Sequence, residues 1–458
     1  MSLDASSNTI AANDSLAQIR NRIDKGGISL RQILIIGVCF LLNVADGFDV
    51  VAISMAAPHI ADAWGINAKT LGVVLSSELA GMMVGSIALA ALSDRYGRRK
   101  ILIGSVSAIA AAMLLTTQAS GIADLIVLRV ITGLGIGGVL ASAAALASEF
   151  SSEKYKHMAV IIVTSGFACG ALTVGPIAAT LLEHSTWQSL FLTGGLMGVV
   201  LLVLVISLIP ESLEFLASHA SDNSRRLTKI NKTLAKLKLP SLTVLSEPSE
   251  SQKNASGGFF VLLSPKYLLI SLRFWLIFFL GSWVIFLLMK WTPKLFVNMG
   301  YELSTGIYAL TLFTIGGLFG NIFVGVLSST RLKLHHVIAA LTFLGGVLIL
   351  IYATWKPTGI TELYCLLFLI NFCATGPLTG MYAVALNSYP TQLRASGLGW
   401  GIGIGRTGAI ASPVVAGYLV DAGWDMYDLF FVLGVPAALI SSFLIRGIKS
   451  KPETSSTQ

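Results

Sequence analysis

With 458 residues, 54% of them hydrophobic and 12% charged, and a mean hydropathy of +0.78, the chain is too apolar for a soluble domain with a hydrated surface. The net charge of +8 therefore reports first on which loops stay in the cytoplasm, and no nucleic-acid partner is implied. Cys39, Cys169, Cys365 and Cys373 all fall in apolar stretches without metal-ligand spacing, which excludes a disulfide framework and gives no metal site.

Residues 1–30 are polar, mixed in charge and poor in apolar runs, as expected of a cytoplasmic tail and not of a cleaved secretion signal. Stretches long enough to cross a hydrocarbon core of about 30 Å then follow near Gln32–Ile60, Thr70–Leu92, Ile101–Thr117, Ile122–Ser148, His157–Leu182 and Ser189–Ile209. Residues 211–266 form a polar linker carrying Arg225, Arg226, Lys229, Lys232, Lys236 and Lys238, a basic face suited to anionic lipid headgroups. Six more runs lie near Leu268–Lys290, Thr305–Leu327, Val337–Thr354, Glu362–Ala385, Ser396–Val420 and Tyr427–Ile445, followed by a short tail from 447 to 458. The expected fold is an all-α membrane protein of twelve transmembrane helices, arranged as two six-helix bundles over 31–210 and 267–446.

An internal repeat makes the bundles pseudo-symmetric. Gly81-Met-Met-Val-Gly85 ahead of Asp94-Arg95 aligns with Gly316-Gly-Leu-Phe-Gly320 ahead of Ser329-Thr330, and Gly175-Pro176 aligns with Ser412-Pro413. Glycine at four-residue spacing points to close helix packing. Lys and Arg cluster in the N-terminal tail, at Arg95–Lys100, at Lys154–Lys156, in the linker, at Arg331–Lys333, at Arg394 and at Arg446–Lys451, so both termini are expected in the cytoplasm. The opposite side holds Lys69, Lys294 and Lys356, with Trp64, Trp187, Trp291, Trp355 and Trp424 at interface depth.

A carboxylate in lipid costs several kcal/mol unless it is protonated, paired or watered. Ala45-Asp46-Gly47-Phe48-Asp49 in the first helix is therefore the strongest chemical signal, with Asp46 and Asp49 at i and i+3 on one face. At a rise of ~1.5 Å per residue, Asp49 lies roughly 13 Å below the outer boundary, and Glu78 and Arg129 reach about the same depth. Three acids facing one arginine cannot all stay ionised in low dielectric, so Asp46, Asp49 and Glu78 form a candidate proton-coupling site.

Arg406, in Gly403-Ile-Gly-Arg406-Thr-Gly408, falls near the midplane of the eleventh helix. Its partner is either a substrate carboxylate, held bidentately, or an acid of the first half. Arg129 and Asn371 join Arg406 as candidate substrate ligands. Phe279, Trp283 and Phe286 recur at helical spacing and form either a stacking wall for a flat ligand or a packing face; Tyr382 and Phe372 repeat the pattern on the tenth helix. His59, His157 and His184 sit near helix ends, as solvated or capping residues do. With no phosphate-binding loop, nucleophile–base pair or metal ligands, the chain is read as a non-enzyme without cofactors, driven by the proton motive force.

The loop Ser93-Asp94-Arg95-Tyr96-Gly97-Arg98-Arg99-Lys100 resembles the marker of the major facilitator superfamily, over a likeness that spans about residues 30 to 446. That resemblance implies the two-bundle fold of the superfamily, with Asp94, Arg95, Gly97 and Arg98 gating the cytoplasmic side together with Glu149. Asp46-Gly47-Phe48-Asp49, Arg129 ahead of Gly133, Gly135 and Gly137, Pro210-Glu211-Ser212, and Tyr389-Pro390 with Arg394 and Gly405-Arg406 are together similar to the aromatic acid/proton symporters.

The resemblance implies a monomeric carrier in the bacterial inner membrane that imports a benzoate-like or hydroxybenzoate-like carboxylate with protons. The rival readings are a proton-driven exporter, suggested by Gly170-Ala-Leu-Thr-Val-Gly175-Pro176, a carrier of a muconate-like diacid, and a membrane sensor that binds aromatic acids without net flux.

Overall fold

The computed structural model describes residues 19–26, 29–218, 223–237, 239–242, 261–328, 333–389 and 393–448. Its long helices are α1 (Leu30–Trp64), α2 (Ala68–Tyr96), α3 (Arg98–Thr116), α4 (Ile122–Glu149), α5 (Lys156–His184), α6 (Gln188–Leu208), α7 (Leu268–Asn298), α8 (Leu303–Ser328), α9 (Leu334–Trp355), α10 (Ile360–Ser388), α11 (Arg394–Asp421) and α12 (Met426–Arg446). Eleven of them meet both the length and the apolarity needed to cross a membrane, and α11, at 28 residues, has the length as well. α12 contains a π-helical turn at Phe430–Gly434, which widens the helix just before Pro436, a residue with no N–H to donate.

These helices carry apolar residues all round. On α6, Leu196, Val200 and Val203 repeat at i, i+4 and i+7 and are exposed, as expected where lipid and not water is the solvent.

The chain divides into two compact units, and the division cuts through α1, α2, α5 and the first turn of α6. The first unit comprises residues 1–49, 81–170 and 191–255. Within it, α2 lies so close to α4 that a Cβ on Gly81 or Gly85 would collide with the carbonyls of Val130 and Leu134. The linker helix Asn223–Lys236 buries Ile230 and Leu234 and turns Lys229, Lys232 and Lys236 outward. The second unit comprises residues 50–80, 171–190 and 256–458. There α8 meets α10 in the same manner, with Gly316 and Gly320 against the carbonyls of Phe368 and Phe372. The aligned glycine pairs thus do the same job in each unit. The second half of the sequence repeat, Ser329-Thr330, lies outside the described residues.

Helix α7 corrects the sequence expectation, which ended it at Lys290. It continues to Asn298, through Pro293. A proline inside a membrane helix forfeits one backbone bond without ending it when neighbouring helices supply the packing. Trp291, expected at the interface, is fully buried, and its indole N–H donates to the carbonyl of Pro413 at 3.1 Å. Lys294, expected in an outer loop, is part of the same helix and pairs with Asp62 at 3.3 Å.

The glycine contacts predict opposite outcomes for one substitution at two sites. Gly85→Val should strip most of the folded, monodisperse protein from a detergent extract followed by fluorescence-detected gel filtration, because overpacking costs about 1–3 kcal/mol or more. Gly104→Val should leave the yield unchanged, since a Cβ there has no atom within 4 Å.

Candidate functional site

The site is built first on α1, whose apolar surroundings bury Asp46 to 2% and Asp49 to 1% exposure. Arg129 of α4, fully buried, donates from Nη1 to Oδ1 of Asp49 at 2.8 Å. Its Nη2 donates to the Thr116 hydroxyl of α3 at 3.2 Å, and its guanidinium lies over the ring of Phe191 on α6, 4.8 Å from the centroid. Four helices of the first unit therefore converge on one ion pair. An ammonium in place of this planar, five-donor group could not satisfy the carboxylate, the hydroxyl and the ring together. Among the described residues, Oδ2 of Asp49 and Nε of Arg129 have no hydrogen-bond partner, so the pair keeps one acceptor and one donor in reserve. The depth estimate that brought Asp49 and Arg129 together thus corresponds to a direct contact.

The second unit holds Glu78 on α2, also fully buried, and a cation that the sequence reading passed over. Lys290 is 0% exposed, and its Nζ donates to the carbonyl of Val50, the residue after Asp49, at 2.6 Å. The signal that could have found it is the apolar run Leu295-Phe-Val297 beyond Pro293, which continues the helix. Arg406 sits half-buried on α11 beside Gly405 and Gly408, which lie against the backbone of Phe278 and Phe279 on α7. Tyr382 is its electrostatic neighbour from α10 and packs its ring on Phe278 at 5.5 Å.

Phe279 and Trp283 stack at 5.8 Å, both half-buried like Phe286, on the same helix α7. Asn371 is differently employed. Its amide donates to Phe313 O at 2.7 Å, which ties α10 to α8, and its oxygen accepts from Thr375 of the same helix at 2.6 Å.

The loop between α2 and α3 is fixed by residues that the sequence marks only weakly. Arg98 pairs with Glu149, and the Ser212 hydroxyl donates to the same carboxylate. Glu211 accepts from the Arg99 backbone N–H at 3.0 Å, while the Arg99 side chain donates to the Ile209 and Ile206 carbonyls at 2.7 and 2.8 Å. Gly97 has φ +105° and any Cβ there would lie 2.6 Å from Oε2 of Glu211, so glycine is required on both counts. Arg95 is exposed, over the ring of Tyr96 at 5.4 Å. The side chain of Asp94 lies outside the described residues. Pro210-Glu211-Ser212 is thereby an anchor of the α2–α3 loop, with Glu149 shared between Arg98 and Ser212.

Removing one member of a buried ion pair leaves the other uncompensated, at a cost of about 3–5 kcal/mol. Asp49→Asn and Arg129→Met should each lower the thermal unfolding temperature in detergent more than the double variant does. Both singles and the double should lose transport.

A sequence profile of the Major Facilitator Superfamily matches residues 39–401. The chain is 32% identical over 438 residues to the 4-hydroxybenzoate transporter PcaK of Pseudomonas putida, covering 94% of this chain and 96% of that one. It is also 32% identical over 429 residues to a gallate transporter of Pseudomonas putida, with 93% of each covered. A crystal structure of a bacterial homolog of the human lysosomal transporter Spinster, in an inward-facing and unoccupied conformation, shares the fold at a TM-score of 0.71 and 14% identity, covering 92% of this chain and 98% of that one. Twelve long helices among the described residues and a match across most of the chain lead to one assignment: this protein belongs to the major facilitator superfamily and is a multi-pass membrane transporter, not an enzyme.

Proposed function

We propose that the chain imports a small aromatic carboxylate, of the benzoate or hydroxybenzoate type, together with protons by alternating access across the bacterial inner membrane. The observation that carries this reading is the lipid-buried pair of Asp49 and Arg129 with Asp46 one turn away on the same helix. Asp46 and Asp49, three residues apart on one buried helix face, are the groups that receive the proton from outside. Glu78, in the second unit, is a further acid that takes up a proton.

Arg406 receives the substrate carboxylate, because a planar guanidinium matches it bidentately. Tyr382 and the aromatic residues Trp283 and Phe286 supply ring contact. Arg129 acts through Asp49. The similarity to transporters named for 4-hydroxybenzoate and gallate, over more than nine-tenths of the chain, supports a ring-bearing acid over a sugar. The proton motive force supplies the energy, each net charge moved being worth about 2.3 kcal/mol at 100 mV. Both termini and the gating loop face the cytoplasm, and the linker's Lys229, Lys232 and Lys236 lie toward anionic headgroups.

Purified protein in proteoliposomes, offered labelled monocyclic aromatic acids, muconate-like diacids and sugars, tests this directly. An acidic exterior should drive accumulation of an aromatic acid, and a protonophore should abolish it. Asp46→Asn and Asp49→Asn should each lose gradient-driven accumulation, and Arg406→Lys should raise KM tenfold or more. Efflux driven by the same gradient would identify an exporter, saturable binding without accumulation a sensor, and uptake of the diacids alone a different cargo.

A further inference from the structure

In the second unit the outer segments of α1, α2 and α5 pack on C-terminal helices, and the contacts are of three kinds. α2 meets α11 at a near-contact of backbones, Gly72 against Pro413 and Gly417, with the Ser76 hydroxyl donating to Ile410 O at 2.8 Å. α5 meets α8 at Gly175 and Thr311. α1 meets α7 twice: through Asp62 and Lys294, at 3.3 Å with Asp62 largely exposed, and through Val50 and Lys290, at 2.6 Å and fully buried. Exposed pairs such as Asp62–Lys294 contribute little, because water screens them, and the glycine contacts are matters of shape. The Lys290 contact is the member of this set in which an ionised group is held away from water by a backbone acceptor.

We propose that Lys290 is the latch of the outer side: its ammonium, by gripping the Val50 carbonyl, holds α1 in the state with the outer ends shut and sets how often they part. A charge-assisted hydrogen bond in a site without water is strong and short-ranged. It exists only while α1 and α7 are within reach, so it favours the shut state and vanishes on opening, when water replaces the carbonyl. The grip falls on the residue after Asp49, so the turn of α1 that bears the acids is also the turn the latch holds. Lys290 is thus a positioning residue, acting through α1 and not through contact with substrate.

The inference rests on the proposed alternating-access cycle, but its test requires neither substrate nor proton gradient. In a background lacking the four native cysteines, Ser76→Cys places a thiol on the α2–α11 contact, where Ser76 is 3% exposed. Its labelling rate by a membrane-impermeant maleimide, added from outside to right-side-out vesicles, reads how often the outer side opens. Lys290→Met should raise that rate about tenfold, as the loss of a contact worth roughly 1.4 kcal/mol would. Lys290→Arg, which keeps the charge and donors, should stay near the parent rate.

Gel filtration of each variant separates opening from unfolding, and if Lys290→Met is not folded, Lys290→Gln takes its place with the same expected rise. An unchanged or slower rate in a folded, uncharged variant overturns the latch. Accelerated labelling in a protein that accumulates no aromatic acid would uphold the latch while removing the proposed cargo.

Discussion

Charge in a medium without water is the constraint on which the rest of the molecule depends. Asp49 and Arg129 are each essentially sealed from solvent, and neither could remain ionised there alone. The pair exists only because α1, α3, α4 and α6 converge within a few ångströms, bringing Thr116 and the ring of Phe191 to the same guanidinium. The glycine contacts that let α2 approach α4, and α5 approach α1 at Gly166 and Gly170, are therefore conditions for the electrostatics as well as for packing. A bulkier helix interface would hold the acid and the arginine apart and leave two buried charges to be satisfied separately.

The loop between α2 and α3 obeys the same constraint. Glu149 is buried to 3% exposure and is satisfied by Arg98 and Ser212, while Glu211 caps the backbone of the α3 start. One loop is held by two carboxylates that arrive from the end of α4 and from just after α6. Gly97 makes the arrangement sterically possible, since its positive φ turns the chain and its missing side chain leaves space for Glu211.

Much of this was legible in the sequence, for identifiable reasons. The cost of an acid in lipid depends on burial alone, so Asp46, Asp49 and Glu78 stood out without any partner in view. The fixed rise of a helix then placed Arg129 at the right depth. The repeated Gly81/Gly85 and Gly316/Gly320 pairs announced helix packing and do pack. Lys290 was illegible because Lys-Trp-Thr-Pro reads as a helix end at the membrane interface, charged, aromatic and broken by proline; only neighbouring helices, absent from a one-dimensional pattern, let α7 continue. Glu211 and Ser212 were visible only as a weak motif because their partners are remote in sequence: Ser212 meets Glu149 across 63 residues. Asn371 shows the converse. A buried amide at midplane depth reads as a ligand, and in the structure its amide N–H ties α10 to α8 while its oxygen accepts from Thr375 one turn on in α10.

With Lys290 included, the charge pattern is no longer three acids against one arginine. Each unit has its own buried set, Asp46 and Asp49 with Arg129 in the first, Glu78 with Lys290 in the second, and the half-buried Arg406 besides. In the proposed cycle this matters because α1 belongs to both: Arg129 holds it at Asp49 and Lys290 holds it at Val50, a single residue apart. A turn of helix moves as one piece, its backbone bonds being internal. Neutralising Asp49 loosens the first hold, and opening the outer side releases the second. In the proposed cycle protonation and outer closure therefore both act on this one turn of α1, and coupling between them requires that the turn have two discrete arrangements.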